Sequence, residues 1–303
     1  MPLLSFTACP LCGSPRIPTL LTCRDTLTRL GDFTIASCAD CGFRFTNPYP
    51  SPDDIHAFYA SDDYTPVTNS TRGLLNKGYH LARRVMLRAK RRLVRRLARR
   101  ATGTLLDIGC GTGEFPATMK QGGWDVQGVE PFAPARDSAA TRFGIPVTDL
   151  PGQALLPGHA YDVITLWHVL EHAHDIHHSM AEIARLLKPG GLALIGIPNC
   201  ASWDAQFYGP DWAAYDTPRH LHHFTPATLG RLAGQHGFRV TSLHPLLFDP
   251  LYIPLLSEKT SPAPCYPRGL YAAAVSLAVS LLNPARCTAV AYALRREQPH
   301  PHF

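Results

Sequence analysis

The chain has 303 residues, 45% of them apolar and 17% charged, with a net charge of +6. This is enough apolar material for one medium-sized domain with an appendage. The start, Met1 to Thr7, lacks the basic and apolar stretches of a secretory leader. The late apolar run Gly269–Leu282 is too short to cross a bilayer. The charge is local: Lys77 to Arg100 holds eleven Lys and Arg and no acid, and removing those charges from +6 leaves −5.

Residues 1–48 carry two CxxC pairs, Cys9/Cys12 and Cys38/Cys41, each followed by a glycine (Gly13, Gly42) that eases a tight knuckle. Nine cysteines, four of them so paired, in a chain read as cytoplasmic argue for metal rather than disulfides. Cys9, Cys12, Cys38 and Cys41 can supply a tetrahedral four-cysteine site for a structural Zn2+, since four thiolates leave no open position. Redox or merely buried cysteines are the competing reading. Residues 49–76 read as a connector with a short helix near Asp54–Ala60. Residues 77–100 read as a basic helix with an apolar stripe of Leu81, Val85, Leu93, Val94 and Leu97. Burial of that stripe on a larger domain is the expected role. Peripheral contact with an anionic membrane or an anionic substrate comes second. No aromatics interleave with the arginines, so the nucleic-acid signal is weak.

From residue 101 the pattern alternates strand and helix, with strands expected near 104–108, 125–130, 145–148, 161–167 and 192–197. This rhythm implies an α/β domain over 101–303 with a parallel sheet. Thr225 and Pro226 read as the cap and first position of a helix ending near Gly237. Strands are expected at Phe238–Leu243 and Thr288–Leu294, with residues 246–286 inserted between them and carrying a 269–282 helix.

The first strand runs into Gly109, Gly111 and Gly113. A strand feeding a glycine loop and then a helix is a nucleotide-site design. The spacing is G-x-G-x-G rather than G-x-G-x-x-G, and Asp107 precedes it, where a carboxylate would repel a pyrophosphate. An acid there suits a ligand presenting an ammonium group, and S-adenosylmethionine carries an ammonium, a sulfonium and a ribose. Glu130 ends the next strand, where an acid grips ribose hydroxyls.

The stretch Leu105–Phe115 resembles motif I of the class I S-adenosylmethionine-dependent methyltransferases. Tyr161–His172 and Leu186–Pro198 resemble the motifs around the fourth and fifth strands of that family. The paired cysteines, Asp216–Phe224 and Leu255–Lys259 extend the resemblance to a bacterial subgroup with an N-terminal zinc-ribbon-like module. The resemblance implies a Rossmann-like seven-stranded sheet with its last two strands antiparallel at one edge. It also implies a cofactor site at Asp107, Gly109, Cys110, Gly111, Gly113, Glu130, Asp149, Trp167 and His168, and a small-molecule acceptor, anionic or aromatic, bound after the fifth strand.

Methyl transfer needs alignment of the acceptor and, for a hydroxyl or carbon acid, a base. Histidine suits that role at neutral pH, and His168, His220 and His223 are the candidates. Asp216 is read as orienting one of them, Arg219 as holding an anionic group, and Asn199 as an acceptor contact. The alternative for the Asp216–Phe224 loop is that its residues only pin it by hydrogen bonds. The aromatic-dense stretch Trp203, Phe207, Tyr208, Trp212 and Tyr215 reads as core, acceptor pocket or both. His168–His172 also matches H-x-x-E-H, which makes a zinc hydrolase the rival enzyme. That motif needs both histidines on one helix face, whereas His168 is expected at a strand end. His174, His177 and His178 read as a solvated helix face. The non-enzyme alternative is a nucleic-acid-binding module on the same fold, which the intact glycine loop and both acids argue against. O-, N- and C-methylation all stay open at this level.

Overall fold

The computed structural model describes residues 2–59, 74–261 and 263–296, and within the first helix the side chains from Arg83 onward. Five short strands come first: β1 (Leu3–Leu4), β2 (Thr19–Arg24), β3 (Asp32–Ser37), β4 (Arg44–Thr46) and β5 (Tyr49–Pro50). A 3₁₀ turn at Ile55–Tyr59 takes the place of the short helix expected near there, and α1 covers Leu74–Ala98. Then follow β6 (Thr104–Ile108), α2 (Glu114–Lys120), β7 (Asp125–Val129), α3 (Ala133–Phe143), β8 (Val147–Thr148) and α4 (Leu150–Ala154). Next are β9 (Tyr161–Trp167), α5 (Ile176–Leu186), β10 (Leu187–Pro198), α6 (Trp203–Tyr208), β11 (His222–His223) and α7 (Pro226–Gln235). The described chain closes with β12 (Phe238–Pro245), α8 (Asp249–Thr260), α9 (Tyr266–Leu282) and β13 (Ala289–Arg296).

Seven strands form one sheet in the order β12-β13-β10-β9-β6-β7-β8. Strands β6 to β10 pair in parallel, while β13 runs antiparallel to both β10 and β12. This is the seven-stranded Rossmann-like sheet that the resemblance implies, with the antiparallel pair at one edge. Its central strands are almost wholly buried, Leu105, Val163, Ile164, Leu194 and Ile195 at 0% exposure, because helices cover both faces. The strand order reverses between β6 and β9, which opens a crevice at their C-terminal ends.

The N-terminal strands form a second sheet, β11-β4-β3-β2, in which β11 comes from the far side of the chain. The zinc-ribbon-like module therefore shares a sheet with the α/β part, and Leu11, Phe43 and Phe45 pack into the same core as Ile183, Phe224 and Leu232. His174 and His177 help fasten it. Their ring nitrogens meet the carbonyls of Pro50 and Pro10 at 3.1 and 3.0 Å. Of the three histidines expected on a solvated face, only His178 is exposed.

Helix α1 keeps the C-terminal half of the predicted stripe and corrects it at Val85. Val85 is 56% exposed, and Leu81 lies outside the described side chains. The face turned to the protein runs Leu87, Lys90, Leu93, Val94 and Leu97, three of them from the predicted stripe, with Lys90 inside an otherwise apolar row. Arg84, Arg88, Arg92 and Arg95 remain on the exposed face. Helix α8 was not foreseen: Pro250 stands in its first turn, where proline is tolerated, but Pro254 lies inside it. It packs on α9, and together they fill the stretch between β12 and β13.

Candidate functional site

The glycine loop joins β6 to α2 at the crevice. A Cβ on Gly109 would sit 2.3 Å from Val169 Cγ2, and one on Gly113 2.7 Å from Ala139 Cβ. These two glycines serve close packing. At Gly111, φ is +55° and a Cβ would meet no atom within 4 Å, so this backbone faces open space. Beside it, Glu130 Oε2 accepts from the Gly111 amide at 2.9 Å and Oε1 from the Phe132 amide at 3.0 Å. The carboxylate is thus aimed by two backbone donors at the end of β7. Bare backbone at Gly111 next to an oriented acid fits the adenosine end of the expected cofactor.

Asp107 lies deeper, 2% exposed, and its Oδ1 accepts from Thr165 Oγ1 at 2.5 Å. Burial pushes its carboxyl up to about 7, against the pull of Thr165 and Lys90. Lys90, on the inward face of α1, holds its ammonium 4.3 Å from the centre of the Trp167 ring. Burial lowers this ammonium to about 8, partly offset by Asp249 and Asp107. Sequence reading missed Lys90, although a lysine on the buried phase of an amphipathic helix was the available signal. Cys110 turns its side chain into the sheet, against Gly128, so only its backbone belongs to the loop. Asp149 follows β8 and caps α4, with Oδ1 accepting from the Gly152 amide at 2.8 Å.

His168 directly follows β9, as its sequence position suggested, with a left-handed backbone (φ +57°) held by its amide bond to the Gly196 carbonyl at 2.8 Å. Its ring is one-third exposed, with Nδ1 3.5 Å from Glu171 Oε1 and Nε2 3.4 Å from Asp249 Oδ1. Burial would depress this imidazole, but Asp249 and Glu171 more than compensate and hold it above its ordinary value. His168 also lines a cavity of about 820 Å³ between the N-terminal module (Arg24, Arg29, Asp32), the Asp216–His220 loop and α8 (Asp249, Leu256). Asp249 was hidden in a stretch read only as an insertion.

The other predicted acceptor residues divide. His220 and Asp216 line the cavity. His223 does not: it is 4% exposed, its Nε2 lies 3.1 Å from Thr46 Oγ1, and burial drives its pKa well down. It is a buried fastening of β11, not a base facing an acceptor. Arg219 is buried as well, bonded to Asp216, Asp25 Oδ1 (3.0 Å) and the Phe58 carbonyl (3.0 Å), so its guanidinium is committed within the protein. Asn199 spends its amide on the carbonyls of Ala285 and Cys287. In the aromatic stretch, Trp212 and Tyr215 are core, while Trp203 and Phe207 stack on one another. None of these rings lines the cavity. The H-x-x-E-H histidines do not share a helix face, since His168 precedes the 3₁₀ turn Leu170–His172.

The four cysteines of the module converge. Cys9 and Cys41 sulfurs are 3.6 Å apart, as are those of Cys12 and Cys38, and all four lie within 4.8 Å of one another. A tetrahedral ion with ~2.3 Å bonds to sulfur separates its ligands by roughly 3.8 Å, so this cradle fits zinc. The knuckles repeat: the Gly13 and Gly42 amides return to the Cys9 and Cys38 carbonyls, both at 2.9 Å.

A family model for a methyltransferase domain matches residues 80–243, more than half of the chain. Ubiquinone biosynthesis O-methyltransferase of Azorhizobium caulinodans is 29% identical over 160 residues, covering 48% of this chain and 63% of that protein. Its counterpart in Photorhabdus laumondii is 32% identical over 130 residues, covering 39% and 53%. The chain thus spans less than two thirds of the length of either relative. Among solved structures, the 1,6-didemethyltoxoflavin-N1-methyltransferase of Burkholderia thailandensis superposes with a TM-score of 0.47 at 18% identity, over 86% of this chain and 98% of that one.

Proposed function

The chain belongs to the class I S-adenosylmethionine-dependent methyltransferases, and from that premise we propose that it methylates a hydroxyl of a small molecule held in the cavity beside His168. The observation that carries this reading is the place of His168. It stands at the end of β9, next to the cofactor crevice, and its ring lines the cavity. Bound S-adenosylmethionine would supply an electrophilic methyl group on a neutral leaving group. Glu130 and the Gly111 backbone would hold its ribose end, and Asp107 its ammonium. His168 would take the hydroxyl proton at Nε2, with Asp249 beside that nitrogen stabilising the imidazolium that forms. Charged groups of both signs at the cavity wall, Arg24, Arg29 and Lys259 with Asp32 and Asp216, suit an acceptor with anionic and hydroxyl groups better than a purely apolar one. The names of the two ubiquinone relatives support oxygen as the methylated atom. The four-cysteine cradle would hold a structural zinc that shapes the module's side of the cavity.

The test pairs binding with turnover. Calorimetry should show S-adenosylmethionine binding that weakens at least tenfold in Glu130→Ala and Asp107→Ala. A metabolite extract incubated with methyl-labelled cofactor should yield label in a small-molecule ether, and His168→Ala should lower that transfer by roughly 10²-fold or more. Label recovered in RNA or protein, or full transfer by His168→Ala, would sink the proposal.

A further inference from the structure

Glu171, His172 and His220 offer one ligand atom each within 4.8 Å of one another, well apart in sequence from the cysteines. Three features set this cluster off from an ordinary buried hydrogen-bond network. Glu171 is 1% exposed, yet neither carboxylate oxygen has a hydrogen-bond partner among the described residues. Its ion-pair partner, His168 Nδ1, stands off at 3.5 Å. An ionised carboxylate buried with no donor is costly unless a cation compensates it.

The two imidazoles are also set as ligands are set. His172 Nδ1 lies 2.9 Å from the Arg219 carbonyl, and His220 Nδ1 lies 2.9 Å from the Ala214 carbonyl. A carbonyl only accepts, so His220 Nδ1 carries the proton and its Nε2 keeps a lone pair, while His172 Nδ1 is shared between its carbonyl and the Tyr59 hydroxyl at 3.1 Å. A backbone carbonyl on the far ring nitrogen is the usual support of a metal-bound histidine. The rings stand edge to face, 4.6 Å between centroids. Finally, Asp216 Oδ2 is 3.9 Å from His220 Nε2, adding negative charge, and both residues line the cavity, which gives an ion a way in.

We propose that Glu171, His172 and His220 bind a divalent transition-metal ion at the wall of the large cavity. Two imidazoles and one carboxylate favour zinc or iron(II) over magnesium or calcium, which prefer all-oxygen sites. Three protein ligands leave further positions for water or a ligand oxygen, unlike the closed cradle of four cysteines. The site does not depend on which acceptor is methylated.

Cobalt(II) is the probe, because its visible spectrum separates the two sites. The full-length protein is first brought to one zinc per chain in the cysteine site, verified by metal analysis. Cobalt is then titrated in. The expected result is one further equivalent bound, with ligand-field bands and no thiolate-to-cobalt charge transfer. That binding should weaken at least tenfold in His172→Ala and in Glu171→Gln, with parental circular dichroism and S-adenosylmethionine binding retained. Failure of the parent protein to take up a second equivalent overturns the proposal whatever the variants do. So does a spectrum showing only thiolate bands, or equal binding by folded His172→Ala. Cofactor binding, measured separately by calorimetry, reports on the methyltransferase reading.

Discussion

Replacing Arg219 with methionine should destabilise the protein by about 3 kcal/mol, because its guanidinium ties the N-terminal module to the catalytic part. Its Nη1 bonds Asp25 and the Phe58 carbonyl, and its Nε and Nη2 bond Asp216. The side chains of Arg219 and Asp25 are both fully buried. Removing one member of such a pair costs about 3–5 kcal/mol, since it strands the other charge. Two details favour the lower end. Asp25 keeps hydrogen bonds from the Leu27 and Thr28 amides and the Thr28 hydroxyl, and Asp216 is 28% exposed and can rehydrate. Urea unfolding of Arg219→Met, Asp25→Asn and the double variant gives the coupling, and the arginine should matter less once Asp25 is neutral.

The same contacts predict an acid response. Burial raises the Asp25 and Asp216 carboxyls, but Thr28 and Arg219 at the first, and His220 and Arg219 at the second, more than offset it. Both lie below the usual carboxylate range. Their contribution is therefore present above about pH 4 and lost as pH falls through the lower folded values. Arg219→Met should lose the arginine's share of this response and keep the part due to Thr28 and His220. A variant within about 1 kcal/mol of the parent that nevertheless fails to turn over would refute this reasoning and return Arg219 to the role of a substrate anion holder.

Two further outcomes bear on the cofactor crevice. Gly111→Ala places a methyl where no protein atom stands, at φ +55°, so it should cost only about 1–2 kcal/mol in stability, while S-adenosylmethionine affinity by calorimetry drops tenfold or more; a folded variant with unchanged affinity would show that this face of the loop does not meet the ligand. Asp107, raised to about 7, binds a proton more readily when folded, so its contribution to stability falls as pH rises from about 4 to 7, opposite to Asp25. Cofactor affinity should rise over the upper part of that range as the carboxylate ionises. Asp107→Asn should flatten the profile, and an unchanged profile in that variant would remove Asp107 from cation binding.

Much of the sheet was legible because its determinants are local. Continuous apolar runs bounded by glycines and acids announce buried parallel strands, and β6 and β9 appear at 104–108 and 161–167 as their composition predicts. The glycine loop and the CxxC knuckles are likewise short-range patterns in which residue type and backbone need coincide. Helix α8 escaped because the internal Pro254 contradicts helix propensity, and packing on α9 overrides that preference. The inward place of Lys90 on α1 escaped because a lysine among so many arginines reads as surface, and contact with β9, β10 and α2 selects the face that carries it.

By itself the amino-acid sequence determined the α/β architecture, the convergence of four cysteines and the nucleotide-site character of the loop from Asp107 to Gly113. Each follows from spacing along one continuous segment. The fates of the histidines and of Arg219 were decided only in three dimensions. Neighbouring basic side chains in Asp216–Phe224 end as a cavity wall at His220, a fastening at His223 and a buried ion pair at Arg219. The module from residues before 50 is what separates them, since Asp25 and Thr46 reach across the fold to claim two of the three. Burial and partner choice depend on segments nearly two hundred residues apart, and no local pattern encodes them.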